Sequence, residues 1–236
     1  MQPLLVDVGA VAAGTPSAAD LALLSAPERE RAERFATEQL RNRYVARRSY
    51  LRRRLATALG QEPDRIALEY EPGGKPRLAS GDLGFSLSHS GDLAVVAIAQ
   101  AAGVAIGVDV EQPAQRSPVG IDLDLAVARR LFAADEYEEL TSGPATDRAA
   151  RFLRAWTRKE AVVKALGTGV TAVMRDFVVD LGTGPQVPLE WRRTYPGPRY
   201  WYLFDVSAVA PGCVAAVAIG CDDPGLQPLV EITADG

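Results

Sequence analysis

LAVVAIA at residues 93–99 and VAAVAIG at residues 214–220 are two apolar runs of strand length, at comparable points in the two halves of a 236-residue chain. Short uninterrupted apolar runs of this kind predict strands buried on both faces. Each run closes a sheet after a helix, so the chain reads as α+β, with two similar halves meeting face to face. Around the first run the pattern predicts a strand over 4–8, helices over about 27–35 and 38–59, and strands at 66–70, 85–88 and 103–111. Thr37 and Gly60 delimit the longer helix, and Leu40, Tyr44, Leu51, Leu55 and Leu59 form its apolar stripe. HSGD (89–92) reads as a polar loop and EPGGKP (71–76) as a turn. Around the second run, helices are expected at about 122–132, 134–140 and 147–166, with strands in FVVDL, PLEWR, RYWYLFDVS and CVAAVAIG. The boundary is set between 102 and 103, leaving an N-terminal half (1–102), a C-terminal half (103–236) and a cleft between them where a ligand would sit.

Composition narrows the function class. The apolar fraction is 47%, the charged fraction 24% and the net charge −4, values of an ordinary globular protein. A pI near 5.2 argues against a surface built for nucleic acid. Charge is uneven, however. Residues 28–54 hold ten arginines and four glutamates, a local excess of +6 that suits an anionic ligand. Two cysteines, Cys213 and Cys221, and one histidine exclude a disulfide framework and a zinc site. The opening MQPLLVDVGAV has no basic leader and reads as a first strand, and no apolar run reaches membrane-spanning length. A cytoplasmic protein with no membrane partner is expected.

Four short stretches carry the chemistry. In VDVE, Asp109 and Glu111 lie two apart on a strand and share one face, about 7 Å apart by Cα. Taken alone they read as a strand end entering solvent. In WTRKEAVVKALGTG (156–169), Trp156, Glu160, Val163 and Lys164 share one helix side. Glu160 and Lys164 read as a surface ion pair, unless the tryptophan marks that side as half-buried, when the carboxylate needs a partner. If Asp109, Glu111 and Glu160 face one cleft, an all-oxygen donor set favours a hard cation, Mg²⁺ or Mn²⁺. SLSHSGD places His89, the only histidine, among Ser88, Ser90 and Gly91, hydroxyl and backbone donors that suit a phosphate. GGKP presents Lys75 from a tight turn. Only three lysines, Lys75, Lys159 and Lys164, stand against 23 arginines (26 Lys+Arg minus 3).

Together, GKP (74–76), FSLSHSGD (85–92), GVDVE (107–111), LF-x-x-x-E (131–136) and WTRKEAVVKALGTGV (156–170) resemble the Sfp-type 4′-phosphopantetheinyl transferases of the W/KEA subgroup, over nearly the whole chain. Valines at 108 and 110 and Ser86 are the small departures from the pattern. The resemblance implies the 4′-phosphopantetheinyl transferase fold, a monomeric pseudo-dimer with the active site in the cleft. It implies transfer of the phosphopantetheine arm of coenzyme A to a serine of an apo peptidyl or acyl carrier protein, with secondary-metabolite biosynthesis as the setting. By similarity, Asp109, Glu111 and Glu160 hold Mg²⁺, with Glu160, Lys164 and Asp109 catalytic. Lys164 also contacts the pyrophosphate. Arg31, Arg43, Arg47, Lys75, Ser88 and His89 hold the coenzyme. Glu28 stands where family members can carry a basic residue, and Trp156 and Lys159 read as structural. The segment 113–123 is the candidate docking loop. Two other readings stand beside this one. A metal-dependent nuclease or phosphodiesterase is opposed by the pI and the SHSG loop; a non-catalytic carrier-binding module is opposed by the complete acid set.

Overall fold

The computed structural model describes residues 3–71, 73–113, 120–167, 169 and 171–233. The first half contributes β1 (Leu4–Ala12), α1 (Ala18–Ala22), α2 (Ala26–Glu33), α3 (Glu38–Leu59), β2 (Leu68–Tyr70), β3 (Pro76–Leu78), β4 (Gly84–Ser90) and β5 (Leu93–Ala99). The second contributes β6 (Ala105–Glu111), α4 (Gly120–Leu131), α5 (Ala134–Ser142), α6 (Arg148–Leu166), β7 (Phe177–Val179), β8 (Gln186–Val187), β9 (Leu189–Trp191), β10 (Tyr200–Asp205), β11 (Val214–Cys221) and β12 (Pro228–Thr233). Two four-stranded sheets, β12-β1-β5-β4 and β6-β11-β10-β8, form the frame. They pack face to face through Val6, Val8, Val95 and Ala97 on one side and Val108, Val110, Val217 and Ile219 on the other. On the outer faces, α3 covers Val96 and Ile98 with Leu51 and Leu55, and α6 covers Ala216 and Ala218 with Ala161 and Val162. The result is a pseudo-dimer of two similar α+β halves.

The two apolar runs hold comparable places but are displaced by one residue in register. The core face of β5 is Leu93, Val95, Ala97 and Ala99, whereas that of the second run is Cys213, Ala215, Val217 and Ile219. Pairing Leu93 with Val214 therefore opposes the two faces, because a slip of one residue inverts a strand. His89 lies in β4, not in a loop; the connection to β5 is only Gly91–Asp92, with Gly91 at φ +56°, as a two-residue hairpin with glycine first requires. The last strand leaves its half: β12 pairs parallel to β1, Leu4 opposite Pro228, so the span 103–236 is not confined to the second sheet. Most of the candidate docking loop falls outside the described residues.

Helix α6 is held by an anchor buried under it. Lys159 is fully enclosed, and its ammonium donates to the carbonyls of Met174 and Phe177, both at 2.7 Å, and pairs with Glu136 Oε2 at 2.7 Å. Glu136 in turn accepts from the amides of Ala133 (2.8 Å) and Val179 (2.8 Å). A buried charge is tolerated only when its donors and acceptors are met in this way. Phe152 stacks between Phe132 and Trp156, extending the same anchor along the helix.

Gly107 sets how closely α6 approaches β6. A Cβ there would lie 2.0 Å from the Ala161 carbonyl oxygen and 2.4 Å from the Ala165 nitrogen, both backbone atoms that cannot swing aside. Gly107→Ala is expected to lower stability in urea unfolding by about 1–3 kcal/mol, the usual scale of overpacking. An unchanged midpoint would show that the helix need not touch the strand there.

Candidate active site

Where the halves meet, β4 and β6 run side by side, and side chains join them. Ser86, Ser88 and Ser90 alternate along β4 and so share a face. Ser86 Oγ accepts from the Val108 amide (3.1 Å), Ser88 Oγ donates to Asp109 Oδ1 (2.9 Å), and Ser90 Oγ donates to Glu111 Oε2 (3.3 Å) and accepts from the Gln112 amide (3.1 Å). The ladder aims both β6 carboxylates into the cleft. Because Gly107 lets α6 lie on β6, Lys164 reaches the same point: its ammonium is 2.6 Å from Asp109 Oδ1 and 2.8 Å from Ser88 Oγ. Asp109 is 5% exposed, and its Oδ2 is buried without a hydrogen-bond partner.

Glu160 is half-buried on the same side of α6, and its pKa is raised. Desolvation is the main cause, followed by repulsion from Asp109; Lys164 opposes the shift and Glu111 adds to it. The three acids therefore feel one another. Among the described residues, no three carboxylate, imidazole or thiol groups form a ready-made cation cage, and the Lys164 ammonium sits on the exposed side of that acid group. A cavity of about 300 Å³ opens beside them, walled by Lys75, Phe85, Ser86, Glu160, Lys164 and Gly167.

The basic helices gather a cationic cluster outside that cavity, whose lining includes none of their residues. The guanidinium carbons of Arg31, Arg47 and Arg48 lie 5.6, 5.3 and 5.8 Å from the Tyr44 ring centroid. Burial lowers the Arg47 pKa, and the neighbouring Arg48 and Arg31 lower it further. Arg43 donates to Asp92 Oδ1 at 2.6 Å. The His89 ring, exposed on β4, stands close to these cations; desolvation by the surrounding groups, then Arg47, Lys164 and Arg43, pull its pKa down to about 4. The imidazole is thus neutral at pH 7 and sits in a positive field that an anion would relieve.

One expected contact differs: Lys75 lines the cavity, but its ammonium donates to the carbonyls of Ile106 (3.0 Å) and Ala165 (3.1 Å). Glu28 is buried: it accepts from Arg52 Nε at 2.8 Å and from the Ser25 amide at 2.9 Å, tying α2 to α3. Sequence reasoning gave Ser86 no site role, set Ser90 beside a phosphate and not against Glu111, and did not single out Gly107 or Arg48. The period-two serines of SLSHS were the available signal for the first two; for Gly107 the signal is invisible until a helix lies across it.

Comparison with known proteins agrees with this arrangement. A family model described as the 4′-phosphopantetheinyl transferase superfamily matches residues 105–217, and one described as 4′-phosphopantetheinyl transferase, N-terminal, matches residues 15–101. The chain is 36% identical over 202 residues to the 4′-phosphopantetheinyl transferase HetI of Nostoc sp., spanning 84% of this chain and 79% of that protein. It is 35% identical over 163 residues to the 4′-phosphopantetheinyl transferase psf-1 of Bacillus pumilus, 66% of each chain. It is 24% identical over 204 residues to the 4′-phosphopantetheinyl transferase Sfp of Bacillus subtilis, 86% of this chain and 85% of that one.

With a single histidine, the imidazole resonances report His89 alone. An NMR titration of the free protein should give a midpoint well below the ordinary 6.5, and added pyrophosphate should move it upward. A midpoint near 6.5 that pyrophosphate leaves in place would remove His89 from the cationic cluster.

Proposed function

We infer that this chain, which belongs to the 4′-phosphopantetheinyl transferase superfamily and is an Sfp-type 4′-phosphopantetheinyl transferase, moves the phosphopantetheine arm of coenzyme A onto a serine hydroxyl of an apo carrier protein. Adenosine 3′,5′-bisphosphate is the other product. The observation that carries the reading is the meeting of Lys164, Asp109 and Ser88 at one point between the halves, with Glu160 and Glu111 near Asp109 and the cationic cluster around His89 close by. The comparisons favour neither the nuclease nor the carrier-binding alternative.

Asp109, Glu111 and Glu160 are the residues that would hold a divalent ion. The buried Asp109 Oδ2 lacks a partner, and an oxygen-only donor set suits Mg²⁺, with Mn²⁺ able to replace it. When bound, such an ion would supply positive charge to offset what develops on the leaving group. The chain's own groups do the rest. Glu160, directly or through a water, takes the proton of the incoming serine. Lys164, on a flexible four-carbon stem, turns from Asp109 to the pyrophosphate. Arg31, Arg43, Arg47, Ser88 and His89 hold the adenosine bisphosphate end, with the neutral imidazole hydrogen-bonding the 3′-phosphate.

In this reading the first half, 1–102, supplies the coenzyme grip, and the second, 103–236, the metal ligands and the carrier surface. The partners are peptidyl or acyl carriers of non-ribosomal peptide or polyketide synthesis, met in the cytoplasm by a monomer. Among the described residues no helix is long and apolar enough to cross a membrane.

Mass spectrometry of apo carriers incubated with coenzyme A and Mg²⁺ tests the reaction; the expected outcome is a gain of one phosphopantetheine arm, lost in chelator and restored by Mg²⁺ or Mn²⁺. Transfer that persists in chelator would refute the metal. Asp109→Ala should cut turnover on the order of 100-fold, the scale of losing one electrostatic anchor, while leaving the circular dichroism intact. His89→Ala should weaken binding of coenzyme A about tenfold but spare 3′-dephospho-coenzyme A, and equal losses for both would detach His89 from the 3′-phosphate.

A further inference from the structure

We propose that Lys75 is a positioning residue for the transfer reaction: its ammonium ties the last turn of α6 to β6, and thereby fixes Glu160 and Lys164 against Asp109, rather than gripping the coenzyme. The inference rests on the transferase reading for its catalytic consequence and on geometry for its mechanism.

The carbonyl of Ala165 is one of the last four of α6, which have no partner within the helix. Lys75 Nζ donates to it at 3.1 Å, and a cation is favoured at that end of a helix. The same ammonium donates at 3.0 Å to Ile106 O, on the edge of β6 whose Val108 amide is taken by Ser86. One side chain of the first half thus holds a helix and a strand of the second at once. The turn that carries it is closed by two bonds of its own, Glu71 N to Lys75 O at 2.9 Å and Gly74 N to Glu71 O at 2.8 Å.

That turn also touches the helix cap directly. Gly167 caps α6 at φ +71°, and a Cβ on Gly73 would lie 2.9 Å from its carbonyl oxygen. A Cβ on Gly167 would lie 2.9 Å from Glu71 Oε2. Hairpin and cap therefore fit backbone to backbone, and Lys75 closes the fit. Glu160 and Lys164 lie in the last two turns of α6, the part that would fray without it.

The test separates positioning from coenzyme binding. For Lys75→Met, calorimetry should give a dissociation constant for coenzyme A within about threefold of wild type, while kcat at saturating coenzyme A falls about 10- to 100-fold, the cost of a small misplacement of reacting groups. Lys75→Arg, which can also donate to two carbonyls, should recover most of kcat. A tenfold weaker affinity with kcat preserved would assign the ammonium to the coenzyme and overturn the proposal, as would two unchanged constants. Hydrogen exchange of the coenzyme-free protein gives an answer that does not depend on catalysis. Exchange in residues 163–167 should rise at least tenfold in Lys75→Met; unchanged exchange would overturn the staple. If the methionine variant does not fold, Lys75→Arg is read in both assays: kcat and exchange near wild type support the staple, and a tenfold loss of coenzyme affinity at full kcat overturns it. A wild-type protein that modifies no carrier would sink the function, and the exchange result would still decide the staple.

Discussion

One edge of β6 faces β4 of the first half, and its polar backbone has to be satisfied without a backbone ladder to that strand. Side chains do this: Lys75 takes the Ile106 carbonyl, Ser86 the Val108 amide and Ser90 the Gln112 amide. Buried backbone groups left without partners cost as much as lost hydrogen bonds, so a seam of this kind is as obligatory as a ladder. A seam made by side chains spaces the strands differently from a backbone ladder. The result is a cleft into which Asp109 and Glu111 can project, and the halves could not be zipped into one continuous sheet without losing it.

The three lysines share a physical task. The Lys75 ammonium meets two carbonyls, that of Lys159 two carbonyls and a carboxylate, and that of Lys164 a hydroxyl and a carboxylate. Each binds oxygens that converge from different directions on one point. A compact ammonium with three rotatable donors satisfies that geometry. In a chain that otherwise uses arginine, the rare cation marks the places where the halves, the anchor under α6 and the reacting groups are tied together. Burial of Lys159 also explains why Glu136 lies against it: removing either leaves the other charged and alone inside the protein.

Much of this was legible in advance. The strand period put Asp109 and Glu111 on one face, the helix period put Glu160 and Lys164 on one side, and the apolar runs located both central strands. The glycine and threonine bounding α3 fell where the caps are. What stayed hidden depends on contacts between segments far apart in the chain. Lys75 gave no local hint that its partners were carbonyls of the other half. His89 looked like a loop residue because serine, glycine and aspartate surround it, yet pairing of β4 with β5 outweighs those local preferences. β12 carries only a short, half-exposed apolar pattern, and nothing near it names β1 as its neighbour.

That last pairing bears on how the chain reaches its fold during synthesis. β1 is synthesised long before the strand that covers its outer edge, which emerges from the ribosome only with Pro228–Thr233. Until then Leu4–Gly9 presents unpaired amides and carbonyls, the kind of template on which nascent chains associate. The order of assembly is therefore circular where the order of synthesis is linear, and the earliest sheet to appear is the last to be sealed.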